Sequence, residues 1–310
     1  MNQFKDYLFL YLKGAAMGAA DVVPGVSGGT IAFIAGIYEQ LIESIKSISF
    51  STLLTLKNEG FKAAWDSING TFLLTLGLGV ISSLVSLAHV ITFLLDTYPE
   101  MVWSFFFGLI VASSLMIRRM ITSWALPSMV SLLVGVGVAY WISIATPASG
   151  SDSFLFIFFS GAVAICAMIL PGISGAFILL LLGMYTSMIE ALKAFDLPIV
   201  VVFVSGCGIG LLAFSRVLSW MFKNYHNETL SLLMGFMLGS LNKVWPWKLT
   251  LKTFEDHHGK LIPIVQENIS PLKYETLTLK SSYLYPSLAL MVFAIVFIFF
   301  LEKLGAEHKA

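Results

Sequence analysis

Residues 13–42 read KGAAMGAADVVPGVSGGTIAFIAGIYEQLI, and residues 161–185 read GAVAICAMILPGISGAFILLLLGMY. Laid on each other, Gly14, Pro24, Gly25, Ser27, Gly28, Gly36, Tyr38 and Glu43 meet Gly161, Pro171, Gly172, Ser174, Gly175, Gly183, Tyr185 and Glu190, always 147 positions apart. Eight matches at one separation are hard to attribute to shared composition. The correspondence continues at a separation of 131, where Gly77, Gly79 and Gly108 answer Gly208, Gly210 and Gly239, and Pro127-Ser128 then answers Pro286-Ser287. Each change of spacing falls in a polar loop, where insertions are tolerated. The chain reads as a duplication of the kind transporters carry, with one unit over 1–150 and the second over 151–310 of a single membrane domain.

Outside these clusters the chain is dominated by apolar runs. Hydrophobic residues make up 57% of the 310, charged residues 12%, and the mean hydropathy is +0.87, against roughly 25% charged residues in a soluble domain. Runs over 71–95, 101–118, 124–145, 198–222, 229–243 and 284–302 approach or exceed the ~20 residues a spanning helix needs. Most lack the polar face that a soluble bundle requires at helical spacing. Each unit is therefore predicted to hold a Pro-Gly-broken re-entrant hairpin (13–45 and 154–192) followed by three transmembrane helices, giving an all-α polytopic membrane protein.

Whether a broken hairpin re-enters or crosses twice, each unit crosses an odd number of times, so the two have inverted topology. Charges in short loops agree: Lys5, Lys13, Lys46, Lys57, Lys62, Arg118, Arg119 and Lys223 gather on one side, Asp96, Glu100 and Asp152 on the other. Both termini are then cytoplasmic. Lys193 falls on the wrong side. The polar segment 244–282 is read as an external cap, with a short β-hairpin around 261–265 and no chemistry assigned to His257 or His258. Lys plus Arg equal Asp plus Glu at 18 each without a basic run, so nucleic acid is not an expected partner. Cys166 and Cys207 lack metal or disulfide spacing, and His89 has no second ligand nearby. No metal and no cofactor are expected, and His89 is read as a helix-to-helix hydrogen-bonding residue.

Pro lacks an N–H and Gly adopts conformations closed to other residues, so each Pro-Gly-x-Ser-Gly run forces a break. Such a break survives at membrane depth only where protein or a watery cavity satisfies the backbone. Paired breaks bring helix N-termini to the midplane, where amides and dipoles attract an anion. The candidate anion-binding residues are Pro24, Gly25, Ser27, Gly28, Gly29 and Thr30 in the first unit and Pro171, Gly172, Ser174 and Gly175 in the second. The competing reading is that these glycines merely let helices pack closely. Ionisable residues within apolar runs extend the set. Arg216 suits a phosphate or snorkels to headgroups. Asp21 supplies a protonatable group or a partner for Arg216, or else a counter-charge for Lys13 or a helix cap. Glu39, Glu43 and Glu190 join Asp21 as coupling or gating candidates, and Tyr38 and Tyr185 read as interfacial anchors.

The two quoted stretches resemble the bacterial polyprenyl-phosphate transporter family, formerly a membrane domain of unknown function, and the resemblance covers essentially the whole chain. It implies a flippase that returns undecaprenyl phosphate, the lipid carrier of cell-wall peptidoglycan synthesis, from the outer to the inner leaflet of the plasma membrane. Its partners would be that lipid and the bilayer. Alternating access is the expected mechanism, with a proton or sodium ion as the candidate coupling ion. An intramembrane polyprenyl-pyrophosphate phosphatase uses a related motif resembling PGxSRSG, but PGVSGGT and PGISGAF lack its Arg, and Ser27 and Ser174 lack a His base. The chain is therefore not expected to be an enzyme. A transporter of small anions remains the other alternative.

Overall fold

The computed structural model describes residues 3–23, 26–148, 150–255 and 261–307; Pro24, Gly25, His257 and His258 lie outside them. Over the described residues the fold is helical apart from one two-stranded sheet, and it begins with a broken hairpin. Helix α1 (Gln3–Asp21) runs to the Pro-Gly break, and α2 (Gly28–Ile34) and α3 (Tyr38–Ser47) follow it. Helices α4 (Phe50–Glu59) and α5 (Phe61–Ser67) occupy what reads in sequence as a polar loop. Phe50, Leu53, Leu54 and Phe61 on them are exposed. Three long helices complete the N-terminal half: α6 (Gly70–Thr97), α7 (Pro99–Met120) and α8 (Leu126–Ile144).

The C-terminal half repeats this order with α9 (Phe154–Ile169), α10 (Gly175–Leu181), α11 (Tyr185–Lys193), α12 (Leu197–Asn224) and α13 (His226–Ser240). Strands β1 (Lys248–Glu255) and β2 (Leu261–Asn268) then pair antiparallel, from Lys248 opposite Asn268 to Glu255 opposite Leu261, before α14 (Pro271–Thr278) and α15 (Leu284–Glu307). The hairpin expected around 261–265 is present. Its first strand, KLTLKTFE, alternates polar and apolar residues over 248–252.

Both hairpins turn in the same way. After α2, Gly36 N–H donates to Phe33 O and Ile37 N–H to Ala32 O. After α10, Gly183 N–H donates to Leu180 O and Met184 N–H to Leu179 O. This paired pattern ends a helix on a left-handed residue. Gly36 and Gly183 supply it at φ +67° and +68°, which explains their place among the repeated positions. The bend between α10 and α11 is 108°.

Among the described residues four helices, α6, α7, α8 and α12, are long and apolar enough to cross a membrane, and the bent pair α10–α11 makes a fifth if counted as one span. The chain is a multi-pass membrane protein. Helix α13, expected as a plain span over 229–243, has 15 residues, about 22 Å at ~1.5 Å per residue, short of the ~30 Å hydrocarbon thickness. Thr229, Leu230, Ser231, Leu233 and Met237 on it are fully buried, so protein rather than lipid surrounds it.

Glycines set the helix contacts. A methyl added to Gly14 would lie 2.2 Å from Leu76 O and one on Gly79 2.2 Å from Tyr11 O, joining α1 to α6. Gly161 and Gly206 meet Phe203 O and Phe158 O at 2.5 and 2.1 Å, joining α9 to α12. Cys166 and Cys207 are free thiols in this second interface, donating to Gly210 O and Gly161 O. The remaining pairs cross between halves: Gly108 on α7 abuts Met291 O on α15, and Gly239 on α13 abuts Val136 O on α8, at 2.4 and 2.5 Å.

Gly206→Leu is expected to destabilise the protein by about 1–3 kcal/mol through overpacking. Gly208→Leu, where an added Cβ meets nothing within 4 Å, is expected to be near neutral. Thermal unfolding of both variants in detergent checks this, and equal melting temperatures would count against the tight α9–α12 contact.

Candidate functional site

The two breaks meet in the core. Ser27 Oγ donates to Met168 O at 2.6 Å, and Gly172 N–H donates to Thr30 Oγ1 at 2.9 Å. A methyl on Gly29 would stand 2.2 Å from Ile169 O. Ser27, Thr30 and Ser174 are buried at 0%, 1% and 5% exposure, among Val23, Val26, Ile169 and Ile173. The candidate residues Ser27, Gly29 and Thr30 of the first tip are thus in direct contact with the second. Gly172 supplies a left-handed φ of +85° and packs against Met237, Phe236 and Ser240 on α13.

The amides expected to face an anion have partners within the chain. Gly28 N–H donates to Asp21 Oδ1 at 2.7 Å, Gly29 N–H to Ser27 Oγ at 3.0 Å, and Phe177 N–H to Ser174 Oγ at 3.4 Å. Of the roles weighed for Asp21, the structure shows the helix cap: its carboxylate takes the first amide of α2, a favourable place for negative charge. Gly175 is similarly committed, since a methyl there would lie 2.6 Å from Ala164 O. In this conformation the tips are closed, and the glycines serve the close packing that was their competing reading. Backbone buried in an apolar bundle must be satisfied in this way.

The remaining candidates lie apart from the tips. Arg216 is exposed, with Nη1 donating to Leu212 O at 2.7 Å and Nη2 to Ile48 O at 3.2 Å. It therefore tethers the end of α3 to α12 and does not pair with Asp21. Glu43 accepts from Ser219 Oγ and stands 3.4 Å from Lys46 and 3.7 Å from Lys223, while Glu39 lies 3.5 Å from His226. These residues form a solvated ionic cluster between α3 and the α12–α13 end. Glu190 is exposed on α11 and His89 on α6. Tyr38 is not an interfacial anchor: at 2% exposure it packs its ring against Phe33 and Phe222. Tyr185 is partly buried.

Sequence reasoning missed the backbone acceptors Met168 O and Ile169 O, because a carbonyl's role leaves no mark on residue identity. It also passed over a cavity of about 230 Å³ beneath the β-hairpin, lined in part by Lys243, Lys248 and Phe177.

Residues 17–262 match the family described as undecaprenyl phosphate translocase-like. The chain is similar to a polyprenyl-phosphate transporter of Vibrio cholerae, 49% identical over 298 residues that cover 96% of this chain and 97% of the relative. It is also similar to a polyprenyl-phosphate transporter of Staphylococcus aureus, 32% identical over 79% of this chain and 88% of that protein. No solved structure matches.

Thr30→Val strips the buried Gly172 amide of its acceptor, a loss that costs about 1–3 kcal/mol, whereas Thr30→Ser keeps the oxygen. Hydrogen exchange of the Gly172 amide is therefore expected to quicken by about tenfold or more in the valine variant alone, taking ~1.4 kcal/mol as tenfold. Equal exchange in both variants would remove the bond from the argument.

Proposed function

Because the chain belongs to the undecaprenyl phosphate translocase-like family and is a transporter rather than an enzyme, we propose that it carries a polyprenyl phosphate, undecaprenyl phosphate foremost, from the outer to the inner leaflet of the bacterial plasma membrane. The observation that carries this reading is the contact between two broken hairpins, whose polar tips are the only feature of their kind duplicated along the sequence. A phosphate on a long isoprenoid needs a polar crossing point for its head within a bundle whose exterior accepts its tail.

The two halves act as inverted repeats in this proposal. The exchange of partners supports that reading: α7 pairs with α15 as α13 pairs with α8, at the corresponding glycines Gly108 and Gly239. With both termini cytoplasmic, the β-hairpin faces outward and the Glu43 cluster faces inward. Alternating access then parts the tips. Amides now held by Asp21, Ser27, Thr30 and Ser174 are released in turn to phosphate oxygens, with Pro24, Gly25, Gly28, Gly29, Pro171, Gly172 and Gly175 shaping the backbone around them.

Asp21 has the most specific part in this scheme. Its carboxylate stands where a phosphate oxygen would bind at Gly28, so it must yield as the headgroup arrives; protonation or sodium binding at Asp21 is the coupling step this predicts. Its counterpart in the second repeat is Met168, so the device is present once. Arg216, Glu39 and Glu43 stay outside the crossing point and hold α3 against α12.

The test is leaflet exchange of undecaprenyl phosphate in proteoliposomes, with and without proton and sodium gradients. Wild-type protein is expected to exceed protein-free vesicles, and one gradient to accelerate it. Asp21→Asn is expected to abolish the gradient effect, and Gly175→Leu to lower exchange by about tenfold or more, equivalent to at least ~1.4 kcal/mol in the barrier, with insertion intact. Wild-type exchange no faster than in empty vesicles would defeat the proposal.

A further inference from the structure

The end of the bundle that carries the β-hairpin holds a polar feature the repeat does not explain. The cavity of about 230 Å³ lies between the end of α8, the flank of α10 and the two strands, and Lys243, Lys248, Asn242, Gln266 and Asn268 line it with donors. Among the described residues neither lysine has a carboxylate within ion-pair distance. Lys243 Nζ sits 4.1 Å from the centroid of the Phe177 ring, and Lys248 Nζ 4.1 Å from that of Trp103. Lys248 also donates to the carbonyl of Lys243. Ring faces and one carbonyl hold these cations in place without neutralising them. Glu267 brings a carboxylate to the lining, but it is exposed.

Two like charges drawn out of water side by side are unfavourable unless something negative joins them. Burial, and the charge of Lys243 beside it, push the Lys248 ammonium well below the usual lysine range. A doubly charged anion reverses both effects by accepting charge-assisted bonds from the lysines.

The location of the chamber ties it to the crossing point. Phe177, which carries Lys243 on its ring, lies in the first turn of α10, and its amide is held by Ser174 of the second tip. Gly172 packs against Ser240, three residues before Lys243. Beside the chamber lies a more open cleft of about 510 Å³ lined by Phe107, Leu241, Trp245 and Ile269. Asn242 and Asn268 belong to both spaces. They are joined to each other, Asn268 Nδ2 donating to Asn242 O at 2.7 Å and to Asn242 Oδ1 at 2.8 Å, and Asn242 Nδ2 donates to Ser143 Oγ at 2.8 Å. A cationic chamber and an apolar, aromatic cleft thus share one polar partition.

We propose that this chamber is the loading site for a phosphate monoester lipid, with Lys243 and Lys248 receiving the headgroup and the adjoining cleft taking the start of its apolar chain. The proposal rests on the reading of the protein as a polyprenyl phosphate transporter and adds a station that precedes the hairpin tips. The lysines hold the head against the second tip until the tips part. The aromatic cleft selects for a chain-bearing phosphate over a free one.

The test uses the full chain in detergent, titrated with farnesyl phosphate, farnesol or inorganic phosphate and followed by tryptophan fluorescence, since Trp103 and Trp245 report on the two spaces. Farnesyl phosphate is expected to bind tightest. Its Kd is expected to weaken by about tenfold in Lys243→Gln or Lys248→Gln and by more in the double variant, in line with the loss of a charge-assisted bond each. The variants are expected to keep or exceed the wild-type melting temperature, because each removes an uncompensated charge, so lost binding is not lost folding. Farnesol binding is expected to be the same in all of them. Unchanged farnesyl phosphate affinity in the double variant would overturn the proposal even if vesicle transport persisted. Inorganic phosphate binding as tightly as farnesyl phosphate would overturn its lipid half. Wild-type binding without any translocation would instead overturn the transport reading and leave the chamber standing.

Discussion

Two hydrogen bonds cross between the hairpins, from Gly172 N–H to Thr30 Oγ1 and from Ser27 Oγ–H to Met168 O, and they answer the constraint that governs the whole bundle. A helix interrupted inside an apolar environment exposes backbone groups that water cannot reach, and leaving even one unpaired costs kilocalories. Side chains of the first tip cover the broken backbone. Ser27 does this twice, donating across to Met168 O while accepting from Gly29 N–H on its own helix. The second hairpin is not satisfied alone, which is a physical reason for the two copies to meet.

The same constraint explains why the helices around the tips approach so closely. Carbonyls of Leu76, Tyr11, Phe203 and Phe158 lie where a side chain would otherwise stand, so α1 rides on α6 and α9 on α12 with the backbones nearly touching. Packing of this kind replaces the hydrophobic driving force that lipid cannot supply between helices. It also fixes the depth of each tip, because the long arm leading to each break is clamped along its length. The crossed pairs α7–α15 and α8–α13 then lock the halves together from outside.

Much of this was legible before any coordinates. The repeated Pro-Gly-x-Ser-Gly cluster pointed to both broken hairpins, but Ser27 and Ser174, read as donors to an anion, cap α2 and α10, and Gly36 and Gly183, read only as repeated positions, supply left-handed turns. What sequence could not give was which partner each polar group would find. Asp21, read equally as coupling group, ion-pair partner or cap, is a cap here because the chain folds Gly28 back onto it seven residues later. Arg216 looked like a phosphate ligand because it sits in an apolar run, yet its side chain is long enough to leave that run and reach Ile48 O. Tyr38 looked interfacial because its position near a helix end resembles an aromatic belt, but a neighbouring helix covers it. Lys243 and Lys248 sit at the start of the polar segment, where sequence offers nothing to single them out. Only the fold of β1 and β2 over the end of the bundle turns them inward.

Read along the proposed route, these placements form an electrostatic sequence. At the β-hairpin end, two lysines lack a carboxylate partner among the described residues; at the far end, Glu43 is matched by Lys46 and Lys223. Between them stands Asp21, negative and already bonded to the amide that a phosphate would want. An anion entering from the cationic chamber therefore falls into a well and then meets a carboxylate of its own sign, so attraction alone does not carry it through. A route with this profile holds its cargo until Asp21 is neutralised or displaced. In the proposed cycle leakage is suppressed by the same carboxylate that caps α2, because α2 keeps its cap until something better arrives to replace it.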